Sequence, residues 1–271
     1  MSFSVFSKNG EIRPITEAVV SLDSIEYTYG YGVYETIRVR RREPLFVADH
    51  LLRLRISCET LQLKHQFSDD VIAGALRNLI AAIEQDTYNL KILLIGGATP
   101  ERAQLYILAS NPHFPDKAMY RDGVHTIVRH FERAYPQAKS LNMLQSYMAY
   151  RDAKEAHAYD TLLVNHKQCV TEGTRTNFFV LDGKTIISPP ESEILLGVTR
   201  KHVLSVAASI GLTYKEQDIE LATVLKYDAA FLTSTSTKIV PIASIDSQHL
   251  APIPETLREL MKAFDKFHDS I

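Results

Sequence analysis

The sequence predicts a mixed α/β protein built in two parts, and three observations carry that prediction. Segments with the two-residue period of strands alternate with segments of helical period along most of the chain. A stretch near the middle, NPHFPDKAMYRDG at 111–123, sets two prolines among polar residues, the composition of a linker. The length, 271 residues, suits one large domain or two smaller ones, with enough chain to bury a sizeable core. We therefore expect one domain over residues 1–115, a linker at 116–122 and a second domain over 123–271.

Taken in order, residues 2–13 alternate as two short strands about an Asn9-Gly10 turn. In YTYGYGVYETIRVRR, 27–41, Gly30 and Gly32 interrupt a tyrosine-rich run and permit positive φ or close backbone approach before the β-branched stretch Val33 to Val39. A glycine-kinked edge strand is the plain alternative there. DHLLRLRISCETLQL reads as a helix with Asp49 as candidate N-cap and Leu51, Leu54, Cys58 and Leu61 on one face. Arg53 and Arg55 fall on different faces; one can meet an anion while the other is solvated, and the pattern does not say which. A second amphipathic helix covers 69–85, followed by strands near 90–95 and 103–110 around a GGATPER turn. The second half opens with a strand near 124–131, and Asp182-Gly183 between two apolar runs signals a hairpin. A helix then runs between Gly197 and Gly211.

Thirty basic residues nearly balance thirty-two acidic ones, for a net charge of -2, so no global field points to nucleic acid or an anionic membrane. A small metabolite is the better partner. Cys58 and Cys169 are too few and too far apart for a disulfide framework or a metal-ligand cluster, so no metal is expected. The first residues, MSFSVFSKNGEIRP, lack the basic and apolar regions of a leader, and no apolar run approaches membrane-spanning length. We expect a cytoplasmic enzyme or binding protein.

Chemistry concentrates between Lys139 and Gly173, KSLNMLQSYMAYRDAKEAHAYDTLLVNHKQCVTEG. Leu141, Leu144 and Met148, widened by Ala149, Ala153 and Ala156, give an apolar helix face of about four turns. A strand, Thr161 to Val164, follows. Lys139 is expected just before this buried helix, where burial favours the neutral, nucleophilic amine that a Schiff base needs. A solvated surface lysine is the bland alternative. Further on, the backbone N–H groups of the helix start after Gly197 favour phosphate. The hydroxyls of Thr233 to Thr237, in FLTSTSTK, read either as phosphate donors or as a solvated turn.

Six motifs in fixed order carry a resemblance: YGYGVYETIRV, HLLRLRIS, KSLNML, VTEGTRTNFF, LLGVTR and FLTSTSTKIVP, spanning about residues 27 to 245. In these the chain resembles the class-IV aminotransferase family, the fold-type-IV pyridoxal-phosphate enzymes. The resemblance implies a smaller N-terminal α/β domain and a larger C-terminal domain, with the cofactor in a cleft between them, and a homodimer. It implies pyridoxal 5'-phosphate, with Lys139 as the lysine that bonds the cofactor and later shuttles the proton. Glu172 is then the partner of the pyridine nitrogen, keeping it cationic so that the ring accepts electron density. Arg53 is implied as the phosphate clamp, with Val198, Thr199, Ser234 and Thr235 as further phosphate donors. Leu195 is implied on the ring face, and Tyr34 and Lys91 on the substrate side. Arg102 and Arg175 can each bind a substrate carboxylate or lie on the surface.

Three branches of that family share these motifs: branched-chain aminotransferases, D-amino acid aminotransferases and 4-amino-4-deoxychorismate lyases. KSLNML and TSTST look most like the D-amino acid branch. That branch traps the substrate carboxylate with an arginine where this chain has Gly96 and a histidine where it has Gln104, which argues against D-specificity. LKILLIGG, 90–97, is similar to the lyase branch, and the reading favoured from sequence is a lyase of the folate pathway releasing pyruvate and 4-aminobenzoate. The alternatives are a branched-chain or D-amino acid aminotransferase with a 2-oxo acid acceptor, and a non-catalytic metabolite-binding member.

Overall fold

The structure is a computed structural model and describes residues 3–112 and 114–271. Residue 2 of the expected hairpin and His113 of the stretch 111–123 lie outside the described residues. The fold is mixed α/β and divides into two units. The first runs through Pro112 and takes back Ala138–Met143; the second holds the chain after Pro112 up to Gln137, and then Leu144–Ile271.

In the first unit, strands β1 (Val5–Lys8) and β2 (Glu11–Pro14) meet at Asn9 and Gly10, both at positive φ, +53° and +93°, as a tight hairpin requires. Helix α1 (Ile25–Thr28) leads to β3 (Gly32–Arg40) and the short β4 (Glu43–Pro44). Helices α2 (Val47–Thr60) and α3 (Asp69–Ala82) precede β5 (Thr87–Ile95) and β6 (Gln104–Ser110). The sheet order is β2-β1-β6-β5-β3-β4, with every pairing antiparallel. Its period of two decides which side chains meet. Val33, Ile37 and Val39 of β3 enter a core with Leu51, Leu54 and Cys58 of α2 and Leu76 and Leu79 of α3. Glu35 alternates with them and is buried, while Tyr34 and Thr36 take the other face. β3 is paired along its whole length with β5, from Gly32↔Ile95 to Arg40↔Thr87, and its other side is covered only at the ends, by β4 at Val39 and Arg40 and by Ser140 at Val33. Asp49 is not the N-cap: α2 starts at Val47 after a left-handed Phe46, which leaves Asp49 in the first turn, favourable to the helix dipole.

The second unit begins with helix α4 (Lys117–Asp122), where a linker was expected. Asp116 caps it by accepting the Met119 N–H at 2.9 Å, Gly123 ends it at φ +84°, and Met119 and Tyr120 pack on the core. The two prolines that suggested a linker lie ahead of this cap. Strand β7 (Val124–His130), helix α5 (Leu144–Glu155), and strands β8 (Asp160–Val164), β9 (Val170–Gly173), β10 (Asn177–Asp182) and β11 (Thr185–Ser188) follow. Next come α6 (Val198–Ser209), β12 (Thr213–Glu216), β13 (Ala229–Ser234), β14 (Lys238–Ile245), β15 (Gln248–His249) and α7 (Glu255–Asp269). The strands run β12-β11-β10-β13-β14-β7-β8-β9, and β9 pairs back to β10 at Glu172↔Asn177, so the sheet closes on itself. Alternation again sorts the side chains: Phe178, Val180 and Leu232 fill the interior, while Phe179, Leu181 and Phe231 face α6 and α7.

Helix α5 is shorter than expected. Ser140 bridges to Val33 and the Leu141 N–H donates to the Gly32 carbonyl at 2.8 Å, so the backbone stays strand-like until the helix begins at Leu144. Leu141 rests on Gly32, where a Cβ would lie 2.7 Å from its Cδ1. Leu144 is exposed, and α5 buries Ser146, Ala149 and Ala153 instead of a leucine stripe. Among the described residues no helix is long and apolar enough to cross a membrane.

Candidate active site

The Lys139 segment is fixed by its backbone and leaves its side chain uncommitted. The Lys139 N–H donates to Ser57 Oγ at 3.0 Å, and its carbonyl accepts the Tyr34 N–H at 2.9 Å. The amine lies 4.4 Å from the centre of the Tyr34 ring, and Lys91 Nζ lies 5.4 Å from the same centre. Among the described residues of this unit, no carboxylate pairs with Lys139. Two of the residues implied for the substrate side, Tyr34 and Lys91, are thereby gathered around the lysine implied for the chemistry.

Behind this face, on the core side of β3, three ionisable groups interlock. Glu35, with no accessible surface, accepts from Arg53 Nε on one oxygen and from Arg53 Nη2 on the other, both at 2.7 Å. His50 Nδ1 reaches the second oxygen at 2.8 Å. Burial alone would raise the Glu35 carboxyl above its ordinary value; the Arg53 charge and these hydrogen bonds outweigh that and hold it far below. Burial lowers His50 in spite of Glu35, so His50 is neutral and donates through Nδ1, and its Nε2 is buried without a partner. The structure thus separates the two arginines: Arg53 is buried, while Arg55 is exposed and pairs with Asp69 at 2.6 Å. Sequence reasoning missed Glu35 and His50 as partners. Their signal was present in the inward register of Glu35 and the i, i+3 spacing of His50 and Arg53.

In the second unit Glu172 is buried and held at both oxygens. Oε1 accepts from Arg133 Nε at 2.7 Å and Oε2 from the Leu195 N–H at 3.1 Å. The Leu195 carbonyl accepts from Asn177 Nδ2 at 2.6 Å, so the backbone of Leu195 is tied to strand β10 while its side chain stays half-buried. Arg133 gave no signal in sequence, since nothing local marks it as the partner of a residue on another strand. Glu172 and Arg133 border a cleft of about 250 Å³ with Asn165 and Thr171. Replacing Arg133 by methionine is expected to lower stability by about 2 kcal/mol in urea unfolding, because it strands a buried carboxylate whose partner is itself partly exposed.

Helix α6 begins at Val198 with Gly197 as N-cap and no side chain on its first N–H groups. Gly197 lies so close to β10 that a Cβ would fall 2.0 Å from Asn177 Oδ1. Val198 and Thr199 are buried, and Thr199 and Thr235 make no hydrogen bond through their hydroxyls to described residues. Ser234 Oγ is joined to Thr237 Oγ1 at 2.7 Å, and the buried Thr233 hydroxyl is left without a partner. An uncapped helix start beside unsatisfied hydroxyls suits a phosphate, and a fixed carboxylate suits a pyridine nitrogen, so these residues fit the implied cofactor.

The remaining substrate candidates differ in setting. Arg102 ends a turn of 3-10 helix, Pro100–Arg102, and is exposed. Arg175 is exposed as well and lies over the Tyr150 ring. Gly96 is pressed against Tyr31, whose ring carbons would lie 2.5 Å from a Cβ, so a side chain there requires the Tyr31 ring to move. Gln104 turns its amide onto the carbonyls of Arg102 and Ala103, each at 3.2 Å.

A lysine amine without an acid partner, and a fixed carboxylate near an uncapped helix start, are each groups of the kind that pyridoxal phosphate requires. The chain belongs to the amino-transferase class IV family, whose sequence model matches residues 32–245. It is similar to the D-alanine aminotransferase of Bacillus licheniformis, 29% identical over 92% of each chain. It shares its fold, at TM-score 0.88, 22% identity and coverage of 97% of this chain and 93% of the other, with the T.th. branched-chain amino acid aminotransferase solved with pyridoxamine 5'-phosphate. A putative 4-amino-4-deoxychorismate lyase of Legionella pneumophila is also similar, with TM-score 0.83, 26% identity and coverage of 92% of this chain and 96% of that one.

Proposed function

We propose that this enzyme is an aminotransferase that moves an amino group between an amino acid and a 2-oxo acid. The observation that carries the reading is Lys139, an amine set 4.4 Å from the Tyr34 ring with no carboxylate of its unit to hold it as a structural ion pair. Such an amine is available both to bond a carbonyl and to carry a proton. Bound pyridoxal phosphate supplies the electron sink that makes the carbon-bound proton removable. Lys139 takes that proton and returns it at the neighbouring carbon. Glu172, oriented by Arg133 and the Leu195 N–H, pairs with the ring nitrogen. The N–H groups of Val198 and Thr199, the hydroxyls of Ser234 and Thr235, and Arg53 bind phosphate. Leu195 covers the ring, and Tyr34 and Lys91 border the substrate.

The likeness to the D-alanine enzyme across 92% of each chain supports transamination over lysis, against the preference drawn from residues 90–97. The lyase reading keeps one specific support, the 26% identity to the Legionella protein. The two are separated by offering the yellow holoenzyme D-alanine and branched-chain amino acids with 2-oxoglutarate, and aminodeoxychorismate in a parallel reaction. Glutamate formation in the first is the expected result. Pyruvate release from aminodeoxychorismate, with no glutamate formed, overturns transamination in favour of lysis. A colourless protein that takes up no pyridoxal phosphate overturns both.

A further inference from the structure

Three residues after Glu172, the chain presents an exposed cation, Arg175, that makes no ion pair among the described residues. Asp160, buried in β8, grips both sides of it. Oδ1 accepts from the Thr174 N–H at 3.2 Å and the Thr174 hydroxyl at 2.5 Å, and Oδ2 accepts from the Thr176 hydroxyl at 2.9 Å. Between those threonines, Arg175 lays its guanidinium over the Tyr150 ring, 3.9 Å from the centre. Lys154, one turn beyond Tyr150 on α5, lies 4.8 Å from the same centre. Burial would raise the Tyr150 phenol, but hydrogen bonding from Lys154 and the charge of Arg175 outweigh it and hold the phenol below its ordinary value.

Other charges on this helix are paired. Arg151 meets Glu155 at 3.5 Å, and Asp152 is bonded to Arg129. Arg175 and Lys154 share an aromatic ring and, among the described residues, no carboxylate. Two like charges drawn to one small area repel, and an aromatic face offsets only part of that. An anion placed there relieves the repulsion and receives the planar fork of the arginine, suited to two carboxylate oxygens.

We propose that Arg175 and Lys154, stacked on Tyr150, form a subsite for the distal carboxylate of a dicarboxylic amino acid or 2-oxo acid. The assignment rests on the aminotransferase reading for its place in the reaction: three residues of chain span at most about 11 Å, which keeps Arg175 within a small substrate's length of Glu172. The second substrate of the enzyme is then an acidic one, while Asp160 acts as a positioning residue that fixes the loop carrying Arg175.

The test uses the holoenzyme and compares 2-oxoglutarate with 2-oxobutyrate as amino acceptors. Wild-type enzyme is expected to favour the dicarboxylate in kcat/KM, and Arg175→Gln to reduce that preference about tenfold or more, chiefly through KM. Lys154→Gln is expected to act in the same direction. A preference unchanged in Arg175→Gln, or absent from the wild type, overturns the subsite. Calorimetry with unreactive glutarate and butyrate keeps the question separate from turnover. Tighter glutarate binding that Arg175→Gln abolishes supports the subsite even if transamination is not found, and equal binding of the two acids overturns it. Cofactor absorbance of each variant shows that the holoenzyme is intact.

Discussion

Replacing Lys139 by alanine is expected to slow turnover about 10,000-fold while leaving the fold in place. In the proposed reaction one side chain serves as both nucleophile and proton carrier, and the loss of a positioned proton carrier alone costs about 100-fold to 10,000-fold. The structure explains why the fold survives. The contacts that hold this position belong to the backbone: its N–H on Ser57 Oγ, its carbonyl on the Tyr34 N–H, and the neighbouring bridge from Ser140 to Val33. Steady-state turnover, borohydride trapping and a thermal melt on the same preparation check the expectation. Activity within tenfold of wild type would remove Lys139 from the chemistry; a melting temperature lowered by many degrees would assign it to the fold.

Glu35→Gln is expected to destabilise the protein by about 3–5 kcal/mol in urea unfolding, the range for breaking a buried pair from one side. The amide cannot avoid the conflict by rotating. With its NH2 in place of Oε1 it faces Arg53 Nε; in place of Oε2 it faces both Arg53 Nη2 and the His50 Nδ1 proton. Arg53 also keeps its buried charge with no carboxylate in the cluster to meet it. The same cluster sets a pH dependence. Glu35 is held far below its ordinary value, so its stabilising contribution is complete above the unfolded carboxylate value of about 4.3 and fades as pH falls below it. His50 is lowered by burial, so folding is also opposed as pH falls through the unfolded imidazole value of about 6.5. Stability measured from pH 8 to pH 3 is expected to decline first near neutrality and then more steeply, with the steeper limb absent in Glu35→Gln. A wild-type profile flat to pH 4 would contradict the assignment of His50.

Features that depend on a residue and its near neighbours in sequence were legible. Asn9-Gly10 and Asp182-Gly183 make hairpins because glycine and asparagine tolerate positive φ, and α6 starts after Gly197. Lys139 and Glu172 were singled out through motif order. What stayed hidden depends on distant strands meeting. Arg133 has meaning because Glu172 folds onto it, and Asp160 because Thr174 and Thr176 turn toward it. The helix after Lys139 was drawn too long because leucine spacing cannot reveal that Leu141 is already engaged with β3. The helix Lys117–Asp122 stayed hidden for a similar reason: the prolines ahead of it are a local signal, whereas the packing of Met119 and Tyr120 on the second core is not.

The return of Ala138–Met143 to the first unit bears on how the gene can be cut. The backbone passes from one unit to the other after Pro112, after Gln137 and again after Met143. A fragment stopping at Pro112 would leave Val33 without its bridge to Ser140 and Gly32 without Leu141. The complementary fragment would carry Lys139 but neither Ser57 nor Tyr34 to hold it. No single truncation yields one complete unit, so Lys139 can be studied in its native setting only when both halves are made together.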